Sequence, residues 1–191
     1  MVANQRPPAQ KTIYVSFSAG INVNTTESLI TVMADCAKQR ATVVYLLFSS
    51  EGGSVMHGIN LYNVLKGMPF KLVTHNVGNV DSIGNAIFLA GEERYACPHS
   101  TFMFHGVGAD FTGKLSVQSI REISGNLLAD EARISSIVQQ RSKLSESQIR
   151  AFFGQAHTMD ATEAVSAGLV NDIKDVKIPP GSPMVTLSFQ R

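Results

Sequence analysis

The run Thr42-Val-Val-Tyr-Leu-Leu-Phe48 constrains the fold more than any other stretch. Seven consecutive apolar, aromatic or β-branched residues leave no polar face, so a strand built from them must be covered on both sides. Parallel strands sandwiched between helices meet that demand, and the flanking chain supplies the helices. Before the run, Thr25 or Thr26 can cap a helix reaching about Gln39, with Leu29, Ile30, Val32, Met33 and Cys36 as its apolar positions. After it, the loop Ser49-Ser-Glu-Gly-Gly-Ser-Val opens a helix over about Val55–Lys66, which Met68-Pro-Phe ends. Thr12–Phe17 and Phe70–Thr74, rich in β-branched and aromatic residues, read as further strands. Strand–helix alternation of this kind implies right-handed crossovers and an α/β domain with a mostly parallel sheet.

Further along, a small-residue helix over Ile83–Ala90 is stopped by Gly91, and short strands Arg94–Cys97 and Thr101–His105 flank Pro98-His-Ser. Gly106–Gly113 reads as a loop. A long helix spans Ser116 to about Lys143, with Gly125 the one weak point in its pattern. Ser145 with Gln148 forms a capping box for a helix to about Phe153, and Asp160 to Ala167 gives another. Residues 1–11 read as a flexible lead-in, 12–175 as one domain, and 176–191 as a tail or late strand. Its alternating Val185-Thr-Leu-Ser-Phe would pack on its own subunit or a neighbour.

Composition narrows the function. The net charge is +1 with only 16% charged residues, and no basic stripe offers a nucleic-acid surface. So sparse a charge also points towards oligomerisation. No run reaches membrane-span length, and Met1–Lys11 lacks the apolar core of a signal peptide, so a cytoplasmic protein without membrane attachment is expected. Cys36 and Cys97 fit no metal spacing and read as reduced thiols. No metal or other cofactor is expected.

Gly78-Asn-Val-Asp-Ser-Ile-Gly84 places a lone serine, Ser82, in a small-residue turn where unpaired N–H groups would suit a nucleophile or an anion. Taken alone, the same stretch is equally an ordinary strand-to-helix turn. His57, His75, His99 and His157 read as structural or solvated, and Lys114 as an exposed loop lysine.

Four marks in order give the chain its resemblance to the ClpP family of serine peptidases, within the ClpP/crotonase fold. They are the buried strand followed by Gly52-Gly53, the turn Val80-Asp-Ser82-Ile-Gly84, the strand-end Phe102-Met-Phe-His105, and the closing Asp160-Ala-Thr-Glu-Ala-Val-Ser-Ala-Gly-Leu-Val-Asn. The resemblance runs from about Lys11 to Ile173. It implies a repeated ββα spiral with a protruding handle helix from Ser116. It also implies Ser82 as nucleophile, His105 as general base, and the amides of Gly53 and Ile83 as an oxyanion hole.

Rings of identical subunits acting on peptides or unfolded proteins follow from the same resemblance. So does a possible ATP-driven unfoldase partner, although the segment before Thr12 is shorter and more polar than the family's propeptide and axial hairpin. The chain also departs from the family pattern. Glu51 replaces the proline before the glycine pair, and Gly106-Val107 replaces Gln-Pro after the histidine. The third triad position, normally aspartate, falls on Phe153. Asp160 reads as a helix cap, leaving Gln155 or His157 as neutral substitutes. The expected function is therefore a serine endopeptidase working through a Ser82–His105 dyad. The alternatives are a weak or inactive ring subunit with a structural or regulatory role, and a crotonase-type acyl-CoA enzyme, against which the order of serine and histidine argues.

Overall fold

The computed structural model describes residues 11–189, so the expected lead-in lies, apart from Lys11, outside the described residues. The strands are β1 (Thr12–Ser18), β2 (Val43–Ser50), β3 (Lys71–Asp81), β4 (Glu93–Ala96), β5 (Thr101–Phe104), β6 (His157–Asp160), β7 (Asp172–Ile173) and β8 (Met184–Thr186). The helices are α1 (Val23–Lys38), α2 (Val55–Lys66), α3 (Gly84–Phe88), α4 (Val117–Arg141), α5 (Glu146–Gly154) and α6 (Ala161–Ser166). They form one sheet in the order β6-β5-β3-β2-β1-β8, with β4 also on β3 and β7 on β4. Among the described residues only the β5–β6 pair is antiparallel, so the sheet is mostly parallel as expected.

β2 sits at the centre. Val44, Leu46 and Phe48 are fully buried on one face, while Val43 and Leu47 are buried on the other, which is why the run carries no polar alternation. Phe17 and Phe48 stack across β1 and β2 with centroids 5.5 Å apart. At about 25 cal/mol per Å² of apolar surface, burying side chains of this size stabilises by roughly 1.5–3 kcal/mol each.

Three elements differ from the sequence reading, each for a local reason. α1 is capped by Asn22, not by a threonine: Asn22 Oδ1 accepts from Thr25 N–H at 3.1 Å and Thr25 Oγ1 accepts from Asn22 N–H at 3.0 Å. β3 continues through Gly78 to Asp81, where a turn was expected. Asn76 makes the continuation possible, its Oδ1 accepting from Gly78 N–H at 3.0 Å and its Nδ2 donating to the Thr101 carbonyl at 2.8 Å. The first half of the β3 edge then pairs with β4 and the second half with β5. β6 stands where a loop was expected, completing the sheet beyond β5.

The Ser145–Gln148 capping box and the Asp160 cap form as expected. β8 pairs with β1 of its own chain. α4 runs unbroken through Gly125 and buries only Ile134 and Val138, leaving Val117, Ile120 and Leu128 exposed on a handle that stands off the domain. Arg94 anchors its base. Its guanidinium donates to the carbonyls of Leu169, Gly91, Arg141 and Gly168 at 2.7–3.3 Å.

Candidate active site

β2 ends at Ser50, β3 at Asp81 and β5 at Phe104, so three neighbouring carboxyl ends lie along one border of the sheet. Ligands in open α/β sheets collect outside such ends. Ser50 pairs with Val80 and Asp81 with Met103, which brings the Gly52-Gly53 loop, Ser82 and His105 into one neighbourhood although they lie decades apart in sequence.

Ser82 has φ +55°, a left-handed conformation that costs a non-glycine residue about 1–2 kcal/mol. Its surroundings over-determine it. Ser82 N–H donates to the Met103 carbonyl at 2.8 Å, and Asn85 Nδ2 donates to the carbonyls of both Ser82 (3.1 Å) and Met103 (2.8 Å). A Cβ on Gly52 would lie 2.7 Å from Ser82 Cβ and 3.3 Å from its Oγ, so only glycine lets the loop close over the hydroxyl. On the other side a Cβ on Gly58 would meet Ile83 Cγ1 at 2.2 Å, so α2 packs tightly against the residue after the serine.

The loop has its own fastening. Ile21 N–H donates to the Gly52 carbonyl at 2.7 Å and Ser54 N–H to the Ile21 carbonyl at 2.8 Å. In such a parallel bridge the N–H of the middle residue, Gly53, turns to the opposite side. Among the described residues neither Gly53 N–H nor Ile83 N–H gives a hydrogen bond. α3 is only five residues long, so its dipole is small. These free amides are the donors the turn offers.

His105 follows β5 directly and is exposed; its Nδ1 lies 2.7 Å from the carbonyl oxygen of Gly106. A carbonyl only accepts, so Nδ1 carries a proton, which in the neutral tautomer leaves Nε2 as the acceptor. No hydrogen bond joins Ser82 Oγ to His105 among the described residues, and such contacts commonly tighten only with substrate bound.

Phe153, which the resemblance puts at the third triad position, ends up against the same loop. A Cβ on Gly106 would lie 2.8 Å from the Phe153 carbonyl oxygen and 3.0 Å from Glu131 Oε1. Neither neutral substitute bonds to His105. His157 Nε2 is 2.7 Å from Glu163 Oε1, and its ring stacks on Phe152 with centroids 4.3 Å apart. Gln155 ends α5, and Asp160 caps α6, accepting from Glu163 N–H at 2.8 Å. Glu51 is exposed and its carboxylate lies against Gly20, while Lys114 is exposed in its loop.

The other histidine of note is buried. His75 Nδ1 meets Tyr45 Oη at 2.8 Å and its Nε2 the Lys174 carbonyl at 3.0 Å. Burial holds the imidazole below its ordinary pKa and pushes the Tyr45 phenol up. Among the described residues no cluster of His, Cys, Asp or Glu is arranged to hold a metal, and no helix is long and apolar enough to cross a membrane.

The Clp protease family model matches residues 8–177, nearly the whole chain. The chain belongs to the Clp protease family. It is 27% identical over 134 residues to ATP-dependent Clp protease proteolytic subunit 1 of Leifsonia xyli, covering 69% of this chain and 67% of that one. It is 26% identical over 132 residues to the Streptomyces coelicolor subunit 1, covering 68% and 59%. Subunit 2 of Tropheryma whipplei is 27% identical over 133 residues, covering 69% and 73%. The ClpP-like resemblance and the α/β architecture with a mostly parallel sheet therefore hold.

Sequence reading missed Asn85, which ties the serine turn to the end of β5, and Glu131, which reaches the loop after His105 from 24 residues along the chain. Asn85 lies three residues past the serine and was open to notice; nothing local marks Glu131.

Proposed function

We propose that this chain is the proteolytic subunit of a ClpP-like serine endopeptidase that hydrolyses peptides or unfolded chains through Ser82 and His105. The observation that carries the reading is the serine itself. Ser82 is held in a left-handed backbone conformation at the mouth of β3, its hydroxyl against Gly52, and the N–H groups of the adjoining Gly53 and Ile83 are without partners among the described residues.

In acylation Ser82 Oγ attacks the scissile carbonyl carbon while His105 Nε2 takes the hydroxyl proton. The carbonyl oxygen becomes an oxyanion, which the amides of Gly53 and Ile83 receive. Collapse breaks the C–N bond, and the proton passes from Nε2 to the leaving amine. Water repeats the sequence to release the acid and restore Ser82. No cofactor enters. On this reading residues 12–175 form the peptidase domain, the exposed apolar handle is covered by other subunits of a ring, and an ATP-driven unfoldase delivers substrate.

A fluorogenic peptide tests it. Hydrolysis by the wild type that vanishes in both Ser82→Ala and His105→Ala is the expected result; hydrolysis that persists in Ser82→Ala would overturn it. Phe153 at the aspartate position favours a second reading, a ring subunit of low or no activity with a structural role. That reading predicts normal assembly and no hydrolysis by the wild type.

A further inference from the structure

The geometry points to Glu131 as the carboxylate that serves His105 in place of the missing triad aspartate, acting at one remove through the Gly106–Val107 peptide group. This rests on the Ser82–His105 reading and assigns it a third member. The two halves of one peptide group face two partners. Its carbonyl, on Gly106, accepts from His105 Nδ1 at 2.7 Å, and its N–H, on Val107, donates to Glu131 Oε1 at 3.1 Å. A carboxylate at the N–H end of a peptide polarises it and enriches the carbonyl oxygen in negative charge, and hydrogen bonds in such a chain strengthen one another. The His105 Nδ1 proton therefore meets a better acceptor than an ordinary carbonyl, one fixed in place at both ends. The same arrangement stabilises the imidazolium that forms when Nε2 takes the serine proton.

Two features of the chain fit this arrangement. Glycine at 106 is required, because a Cβ there would lie 3.0 Å from Glu131 Oε1 and 2.8 Å from the Phe153 carbonyl oxygen. Residue 107 must have an N–H to give, and Val107 does, whereas a proline there would not. Glu131 is half-buried on α4, beside the loop where that helix approaches the domain, so its charge is less screened than that of a surface residue. Glu131 is thus a positioning residue. It touches neither substrate nor Ser82, and it links the handle helix to the orientation of the general base.

The test uses the full chain, labelled with 15N-histidine, as wild type, Glu131→Gln, Glu131→Ala and a control, Glu122→Gln, on the exposed face of the same helix. Two quantities are read: the tautomer of His105 from its ring 15N shifts, and the rate of Nε2 alkylation by a peptidyl chloromethyl ketone. Wild type and Glu122→Gln should show the proton on Nδ1 and alkylate at the same rate. Glu131→Ala should mix the tautomers and slow alkylation on the order of 10–100-fold, by analogy with loss of the group that orients a metal-bound histidine. Glu131→Gln keeps an acceptor for Val107 N–H without the charge and should fall between the two. If Glu131→Ala does not fold, Glu131→Gln decides alone by the same criteria. An unchanged tautomer with rates within twofold of wild type would overturn the proposal, as would full rescue by glutamine, which would reduce Glu131 to a tether. The outcome for the peptidase reading is separate. A tautomer that depends on Glu131 in a protein that never hydrolyses peptide upholds the relay and removes the enzyme.

Discussion

Gly53→Ala is the sharpest perturbation of the loop that faces Ser82. Gly53 has φ +141°, a region that alanine enters only at a cost of about 1–3 kcal/mol. The new methyl would also sit 2.3 Å from the Ile21 carbonyl oxygen, so the loop must retreat by about 1 Å to reach ordinary contact. That retreat breaks or stretches the two hydrogen bonds joining Ile21 to Gly52 and Ser54, worth about 1 kcal/mol each. The combined local cost is about 3–5 kcal/mol. It falls on the segment from Gly52 to Ser54 and not on the sheet. Amide hydrogen exchange resolves this, since the Ser54 and Ile21 amides should lose roughly 10²–10⁴-fold of their protection while that of Leu46 in β2 keeps its own. A displaced donor should also lower kcat for the fluorogenic peptide by about 10²–10³-fold with KM little changed. Unchanged protection at Ser54 would refute the strain argument. Unchanged kcat alongside lost protection would refute the role of the loop.

Other expectations follow from the same geometry. Arg94→Met should destabilise by about 2–4 kcal/mol in urea unfolding, because the Leu169, Gly168 and Arg141 carbonyls lose their side-chain donor; Arg94→Lys, without the planar fork, should recover only part of this. Gly125→Ala should raise stability by about 0.5–1 kcal/mol, since nothing lies within 4 Å of the added methyl in the middle of α4. His75, held neutral by burial, binds its proton more weakly in the folded chain than in the unfolded one. The unfolded state therefore takes up more protons as pH falls, and stability should decline below about pH 6.5, the ordinary imidazole pKa. Urea midpoints between pH 5 and 8 should show that decline in the wild type and a flatter profile in His75→Gln.

The parts of this fold that the sequence discloses are those set by local pattern. Thr42–Phe48 announces a doubly covered strand, Ser145 with Gln148 announces a helix start, and α2 occupies the span marked by the glycine-bearing loop before it and Met68-Pro-Phe after it. β6 escaped because His157-Thr-Met-Asp buries only Met159, and four residues with one apolar contact have no visible period. β3 runs past Gly78 because Asn76 joins it to Thr101, a tertiary contact 25 residues away. The candidate site divides in the same way. Ser82 and His105 are singled out by the family resemblance, carried by the order of the glycine pair, the serine turn and the strand-end histidine along the chain. The carboxylate that bonds to the histidine loop is not, since Glu131 belongs to the handle helix by pattern and meets Val107 only once that helix has packed.

The central claim is that Ser82 is an activated nucleophile, and covalent labelling tests it most directly. Folded wild-type protein is incubated with a fluorophosphonate between pH 6 and 9, and its peptides are mapped by mass spectrometry. An adduct confined to the Ser82 peptide, absent from Ser82→Ala and reduced in His105→Ala, is the result predicted. Folded protein that takes up no label at Ser82 anywhere in that range would contradict it.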